Sequence, residues 1–278
     1  MPTEEERQEE YLFAIAALLL MYENRARARV DLVLRQQLKE ARQLVEQMSA
    51  DGVFRQYEWN QLSRQAPAVF EPIADELREA LATVLPEVEA ETVKRAALYI
   101  DKEPPDIPTS DTDTLLQAVV MGSTAASLGA LLARPGGAHS RFARNLANQL
   151  DKTVKGGLLR ETSTADIAQN VAPQTTRNGQ SVTAIRGGTF ANGARQRVRN
   201  SVRGAVWATS GDAEGKVWTR YRNLEYKWLA TLENTCPICM GLHGQIKPRR
   251  SDFPYYPGHV HYNCRCKVVP LVKAPTST

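Results

Sequence analysis

Apolar positions recur at three- and four-residue spacing through the start of the chain: Leu12, Ile15, Leu19 and Tyr22, then Val30, Val33, Leu34, Leu38, Ala41, Leu44, Val45 and Met48. That period is one face of an α-helix. Thr3 to Glu6 reads Thr-Glu-Glu-Glu, a capping box in which the Thr3 hydroxyl accepts from the Glu6 backbone while the Glu6 side chain reaches back. The pattern therefore predicts one long helix from this box to a stop at Asp51-Gly52. Shorter helices are predicted over 54–65, 70–85 and 87–100, separated by Pro67, Pro72 and Pro86, because proline is disfavoured inside a helix.

The segment 101–113, with three prolines and a run of acids, has little to bury and is predicted to be a linker. Beyond it, "LLQAVVMGSTAASLGALLAR" (114–133) predicts an apolar helix rich in small residues, and further helices are expected over 140–158 and 163–171. Ser163 to Asp166 repeats the capping pattern. Residues 172–181 read as an exposed loop, and 181–210 as one or two arginine-bearing helices. After "GDAEGK", the aromatic and branched residues Val217, Trp218, Tyr221, Tyr226, Trp228 and Leu229 suggest two short strands forming a hairpin. The expected fold is mainly α, with a small α+β C-terminal module. Its parts are an acidic helical region 1–100, the linker 101–113, a helical middle region 114–181 and a C-terminal module 182–278.

Charge sharpens this division. Residues 1–111 hold 13 Lys/Arg against 22 Asp/Glu and the remainder 22 against 9, so a balance of −9 is followed by one of +13. A basic half suits a polyanionic partner, with Arg195, Arg197, Arg199 and Arg203 as candidate phosphate contacts on the predicted helix. The longest apolar run, Tyr11 to Tyr22, is shorter than the roughly 18 residues of a membrane span and follows acidic residues instead of a basic leader. A cytosolic, unprocessed start without a membrane span is expected.

All four cysteines and three of the four histidines fall within 231–266. Cys236-Pro-Ile-Cys239 is a Cys-x2-Cys turn; after 21 intervening residues come His261-Tyr-Asn-Cys264 and Cys264-Arg-Cys266. Under reducing conditions such clusters are metal ligands more often than disulfides, and thiolates with imidazole suit Zn²⁺. Cys236, Cys239, Cys264 and His261 form one tetrahedral set. Cys266 is the alternative fourth ligand, because residues i and i+2 of a strand face the same side. His243 and His259 are expected nearby without ligating. Four protein ligands close a site, so zinc would contribute folding energy and no catalytic residue is assigned.

The run "LATLENTCPICMGLHGQI" with "HYNCRCKVVPL" resembles the C-terminal signature of the phage Mu protein F-like (MuF) head morphogenesis proteins. Trp228, Cys236, Cys239, Leu242, Gly244, His261, Asn263, Cys264, Arg265 and Cys266 occupy its matching positions. Glu233-Asn234 stands where that family often has Asp, and Tyr262 where it has Pro. The resemblance spans about 160–270, including the segment "TFANGARQRVRNSV". It implies a non-enzymatic minor capsid protein of a tailed phage, inside the head near the portal after assembly in the host cytoplasm. Its implied partners are the portal or other head proteins and, without sequence preference, DNA; co-ejection with the DNA belongs to the same picture. No small-molecule substrate is implied.

Two other readings use the same residues. A zinc-stapled nuclease would activate water with His259 or His261 and orient the histidine with Asn263, but the chain lacks a second Cys-x2-Cys and an evident pair of metal-binding acids. A cytosolic zinc module that reads nucleic acid would require sequence-selective binding by 182–278.

Overall fold

The computed structural model describes residues 3–48, 55–121, 126–134, 139–177, 180–183, 187–221, 224–230, 235–255 and 265–271. The architecture is mainly helical, as expected. Helix α1 (Glu4–Met48) is a single 45-residue element opened by the predicted box: the Thr3 amide donates to Glu6 Oε2 at 2.7 Å and the Glu6 amide to Thr3 Oγ1 at 3.2 Å. Those bonds hold the Glu6 carboxyl below its ordinary pKa.

The three helices expected over 54–100 are instead one, α2 (Gln56–Tyr99), which passes through all three prolines. Each proline forfeits a hydrogen bond to the carbonyl four residues earlier. Those carbonyls belong to Ser63, Ala68 and Ala82, all exposed, where water can satisfy them. Meanwhile Leu62, Ala66, Phe70, Ile73, Leu77 and Leu81 form an unbroken buried stripe. Burial at about 1.5–3 kcal/mol per large side chain outweighs three penalties of about 3 kcal/mol.

The helix expected over 114–133 is interrupted. Helix α3 (Thr112–Ala118) is capped by Asp111, strands β1 (Val120–Met121) and β2 (Ala126–Ser127) pair antiparallel, and α4 (Leu128–Leu132) follows. The intervening Gly122-Ser123-Thr124 are weak helix formers. Helices α5 (Arg141–Leu158) and α6 (Thr164–Val171) stand where expected, with Ser140 and Ser163 as caps.

The segment read as a loop over 172–181 contains a hairpin, β3 (Gln174–Arg177) with β4 (Gln180–Thr183). Pairing of Arg177 with Gln180 leaves Asn178-Gly179 between them, the dipeptide that most favours a two-residue hairpin turn.

Helix α7 (Thr189–Trp218) absorbs "GDAEGK" and the start of the first predicted strand, Val217 and Trp218. Ala213, Val217 and Trp218 continue its buried face, and Trp218 Nε1 donates to the Ala96 carbonyl at 3.0 Å. A Cβ at Gly215 would come within 2.0 Å of Arg250 Nη1, so the guanidinium packs directly over this glycine. The second predicted strand exists as β5 (Glu225–Leu229), but its partners lie further on. It is the middle of an antiparallel sheet ordered β6 (Ile246–Lys247), β5, β7 (Lys267–Leu271), with α8 (Pro237–Leu242) between β5 and β6.

Two compact units emerge, neither matching the contiguous divisions read from the sequence. One comprises 1–25, 81–128 and 200–278; the other comprises 26–80 and 129–199. Residues 101–113 therefore lie within the first unit, where the Ser110 amide and hydroxyl donate to Glu89 at 2.7 and 3.0 Å.

The core of the first unit gathers Tyr11, Tyr99 and Trp218, with ring centroids 4.7–6.4 Å apart. Tyr99 also donates through its hydroxyl to the Pro270 carbonyl at 3.2 Å, tying α2 to β7. The second unit packs Phe70 against Phe190 at 5.5 Å and anchors Ser140 to the buried Glu71 carboxylate at 2.8 Å.

Candidate functional site

The cysteine cluster is carried by the small sheet. Strand β5 delivers the chain to Cys236, whose Sγ accepts from the Cys239 amide at 3.4 Å, a cap on the short helix α8 that Pro237 opens. Proline suits that first position because its missing amide would go unpaired there anyway. Cys239 is fully buried. Cys266 is buried too and immediately precedes Lys267, which pairs with Leu229 at the end of β5. Both halves of the cluster thus leave the same end of the sheet, although 30 residues separate Cys236 from Cys266 in the chain. None of these three cysteines forms a disulfide.

His261 and Cys264 lie outside the described residues, as do His259 and Asn263. Among the described residues no three His, Cys, Asp or Glu side chains converge as a metal site. The thiols that are described have the chemistry zinc selects, and a Cys-x2-Cys turn whose first sulfur accepts an amide suits ligation.

His243, expected close by, is exposed, and its Nδ1 accepts from the Ala230 amide at 3.1 Å, so the imidazole braces the end of β5. The pairing of Gly244 and Gln245 with Trp228 continues that contact: the Gly244 amide donates to the Trp228 carbonyl at 2.8 Å and the Trp228 amide to Gln245 at 3.0 Å. Gly244 adopts φ +78°, a left-handed conformation glycine takes without strain.

Behind the cluster lies an ionic network that sequence reasoning missed. The Lys267 side chain is only 2% exposed. Its Nζ donates to Glu214 Oε1 at 2.8 Å and to Ser210 Oγ at 2.9 Å, and lies 5.7 Å from the centre of the Trp207 ring. Glu214 is fully buried and also accepts from the Tyr11 hydroxyl at 2.9 Å. Burial, followed by the Glu214 charge, pushes the Tyr11 phenol well above its ordinary pKa. Arg250 adds a second tie from the sheet module to α7, donating to the Gly211 carbonyl at 2.7 Å. The one sequence signal for this network was a lysine between Cys266 and Val268 in an otherwise apolar strand.

The four candidate phosphate contacts separate. Arg203 is 5% exposed, and its Nε and Nη2 grip the buried Glu23 carboxylate at 2.7–3.1 Å. Its charge is therefore spent inside the first unit. In the second unit Arg195 and Arg199 are half-buried, whereas Arg197 is exposed and donates through Nε to Gln149 at 3.0 Å.

The geometry defines a helical protein with a small antiparallel sheet that carries cysteines at one end. No family model, curated protein or solved structure matches the chain. Among the described residues no helix is long and apolar enough to cross a membrane.

Proposed function

We propose that this chain is a minor capsid, head-morphogenesis protein of a tailed phage, similar to the phage Mu protein F-like family, acting through structure and interaction rather than catalysis. The observation that carries the reading is the departure of both halves of the cysteine cluster from one end of the β6-β5-β7 sheet. A Zn²⁺ ion held by Cys236 and Cys239, with two of His261, Cys264 and Cys266, would tie the segment that carries α8 and β6 to the start of β7. The ion supplies folding energy to a stretch with few apolar side chains. The protein would sit inside the head near the portal and contact packaged DNA weakly through its basic half, with steep salt dependence.

Elemental mass spectrometry of the purified protein tests the staple. About one zinc per chain is expected, lost in Cys236→Ser; retention in His261→Ala assigns the fourth position to Cys266. Zinc-free wild type, purified reduced and without chelator, removes the physical basis of the reading. Proteomics of procapsids and mature particles from the source phage tests the location, and absence from both would overturn it.

A further inference from the structure

Helix α5 divides its residues cleanly between two faces. Phe142, Leu146, Leu150 and Val154 are buried in the second unit, and the opposite face presents Arg141, Arg144, Asn148 and Lys152, all exposed. These four follow at three- and four-residue steps, so they form one row about 17 Å long at roughly 1.5 Å per residue. Arg197 widens the row from α7, since its Nε donates to Gln149 on the flank of α5 at 3.0 Å. The one carboxylate of α5, Asp151, is already engaged: it accepts from the Ser63 hydroxyl at 3.2 Å and pairs with Lys155 at 3.1 Å.

Two observations separate this row from an ordinary solvated surface. Among the described residues Arg141, Arg144 and Lys152 have no ion-pair partner, whereas Arg25, Arg29, Arg95 and Arg134 each meet a carboxylate within 3.2 Å. Residues 129–199 also hold 11 Lys/Arg against 3 Asp/Glu, while 26–80 are near balance at 8 against 9. Most of the basic excess therefore falls in this unit and not in the one that carries the cysteines.

We infer that the outer face of α5, with Arg197, seats the sugar–phosphate backbone of duplex DNA without reading its sequence. The inference rests on the DNA contact proposed above and gives that contact a place. B-DNA carries one charge per roughly 1.7 Å of axis, so about ten phosphate charges run alongside the row. Guanidinium, amine and amide donors are the groups that phosphate oxygens accept from. A protein partner would require an apolar centre, and the row has none; Leu159, 86% exposed, lies past the last residue of the helix. A lipid surface would require an apolar face to insert, and that of α5 is buried in the core.

Anisotropy titration of a fluorescent duplex of about 20 base pairs with the full-length protein, over about 25–200 mM NaCl, tests the seat. Wild type is expected to bind with log affinity falling against log salt at a slope near −3.6, about 0.9 for each of four cations. Arg141→Gln/Arg144→Gln/Lys152→Gln should weaken binding at least about tenfold at about 50 mM NaCl and flatten the slope by about 2.7, and Arg144→Gln alone by about 0.9. The same loss of charge in the first unit, Lys94→Gln/Lys102→Gln/Arg220→Gln, should leave affinity within about twofold. All substituted positions on α5 are exposed, so circular dichroism and urea midpoints should not move. Wild type that fails to bind at about 25 mM NaCl overturns this inference and the DNA contact together, leaving zinc content and particle location to their own tests. Binding that survives the α5 triple variant removes the seat while the DNA contact stands. An equal loss in the first-unit variant also overturns the seat, since net charge would then be the cause. Tighter binding to vesicles of about one-third anionic lipid than to the duplex overturns it in favour of a membrane.

Discussion

Replacing Lys267 with methionine gives the sharpest test of how the small sheet is held. Methionine keeps the length of the side chain but removes the amine that bonds Glu214 and Ser210. Glu214 would remain fully buried with Tyr11 as its single hydrogen-bond donor, and its Oε2 already lacks a partner among the described residues. Breaking a buried pair from one side costs about 3–5 kcal/mol, since one charge is left uncompensated. With a urea dependence of about 1–3 kcal/mol per molar, the midpoint should fall by at least about 1 M. Trp207, Trp218 and Trp228 all belong to the first unit, so tryptophan fluorescence follows mainly its unfolding. The triple variant Tyr11→Phe/Glu214→Leu/Lys267→Met removes every ionised and hydroxyl member around the carboxylate except Ser210. It should recover to within about 2 kcal/mol of wild type, because apolar replacements of a whole buried pair are often neutral. A cost below about 1 kcal/mol for Lys267→Met would refute the argument, for it would mean that water reaches the carboxylate.

Arg203→Leu should cost a similar 3–5 kcal/mol in urea unfolding by stranding the Glu23 carboxylate, and an exposed-site value below about 0.5 kcal/mol would contradict its burial. Burial, then the Glu4 charge, pushes the Tyr99 phenol up to about 12. A phenol whose pKa is raised on folding stabilises fully below its unfolded value near 10 and loses that contribution as pH climbs through the folded value. Stability should therefore drop between about pH 10 and 12 by up to roughly 1.4 kcal/mol per pH unit for this residue, and Tyr99→Phe should flatten the decline in pH-dependent urea midpoints. Gly188→Ala would bring a Cβ within 2.4 Å of the Asn170 carbonyl and 2.8 Å of the Gln169 carbonyl. Backbone atoms of α6 would have to shift, so thermal melting should reveal a loss of about 2 kcal/mol or more, and a neutral outcome would show that α6 yields easily.

The long amphipathic stretches and the side-chain caps could be read directly because each depends on residues within a turn of one another. Thr3 with Glu6, Ser140 and Ser163 are local arrangements, and all three caps form. What escaped depended on distant partners. Pro67, Pro72 and Pro86 look like helix breaks until the buried stripe of α2 is known. Val217 and Trp218 look like strand residues until Ala96 supplies the acceptor for the indole. Asn178-Gly179 was a local signal for a hairpin and was available in the sequence. The cysteine spacing pointed to the candidate site, but the meeting of β5 with β7 is a long-range pairing that spacing alone does not specify. The buried Lys267 and Glu214 were invisible for the same reason, since either alone reads as a surface charge.

The bond between Tyr11 and Glu214 spans 203 residues. During synthesis at about 5–20 residues per second, the apolar face around Tyr11 would wait roughly 10–40 s for the carboxylate it serves, and longer for Lys267. Through that interval the start of α1 lacks the partners that bury it in the finished fold. The acidic residues before Tyr11 then acquire a role in time as well as in space, holding that end of the helix in water until the C-terminal sheet arrives.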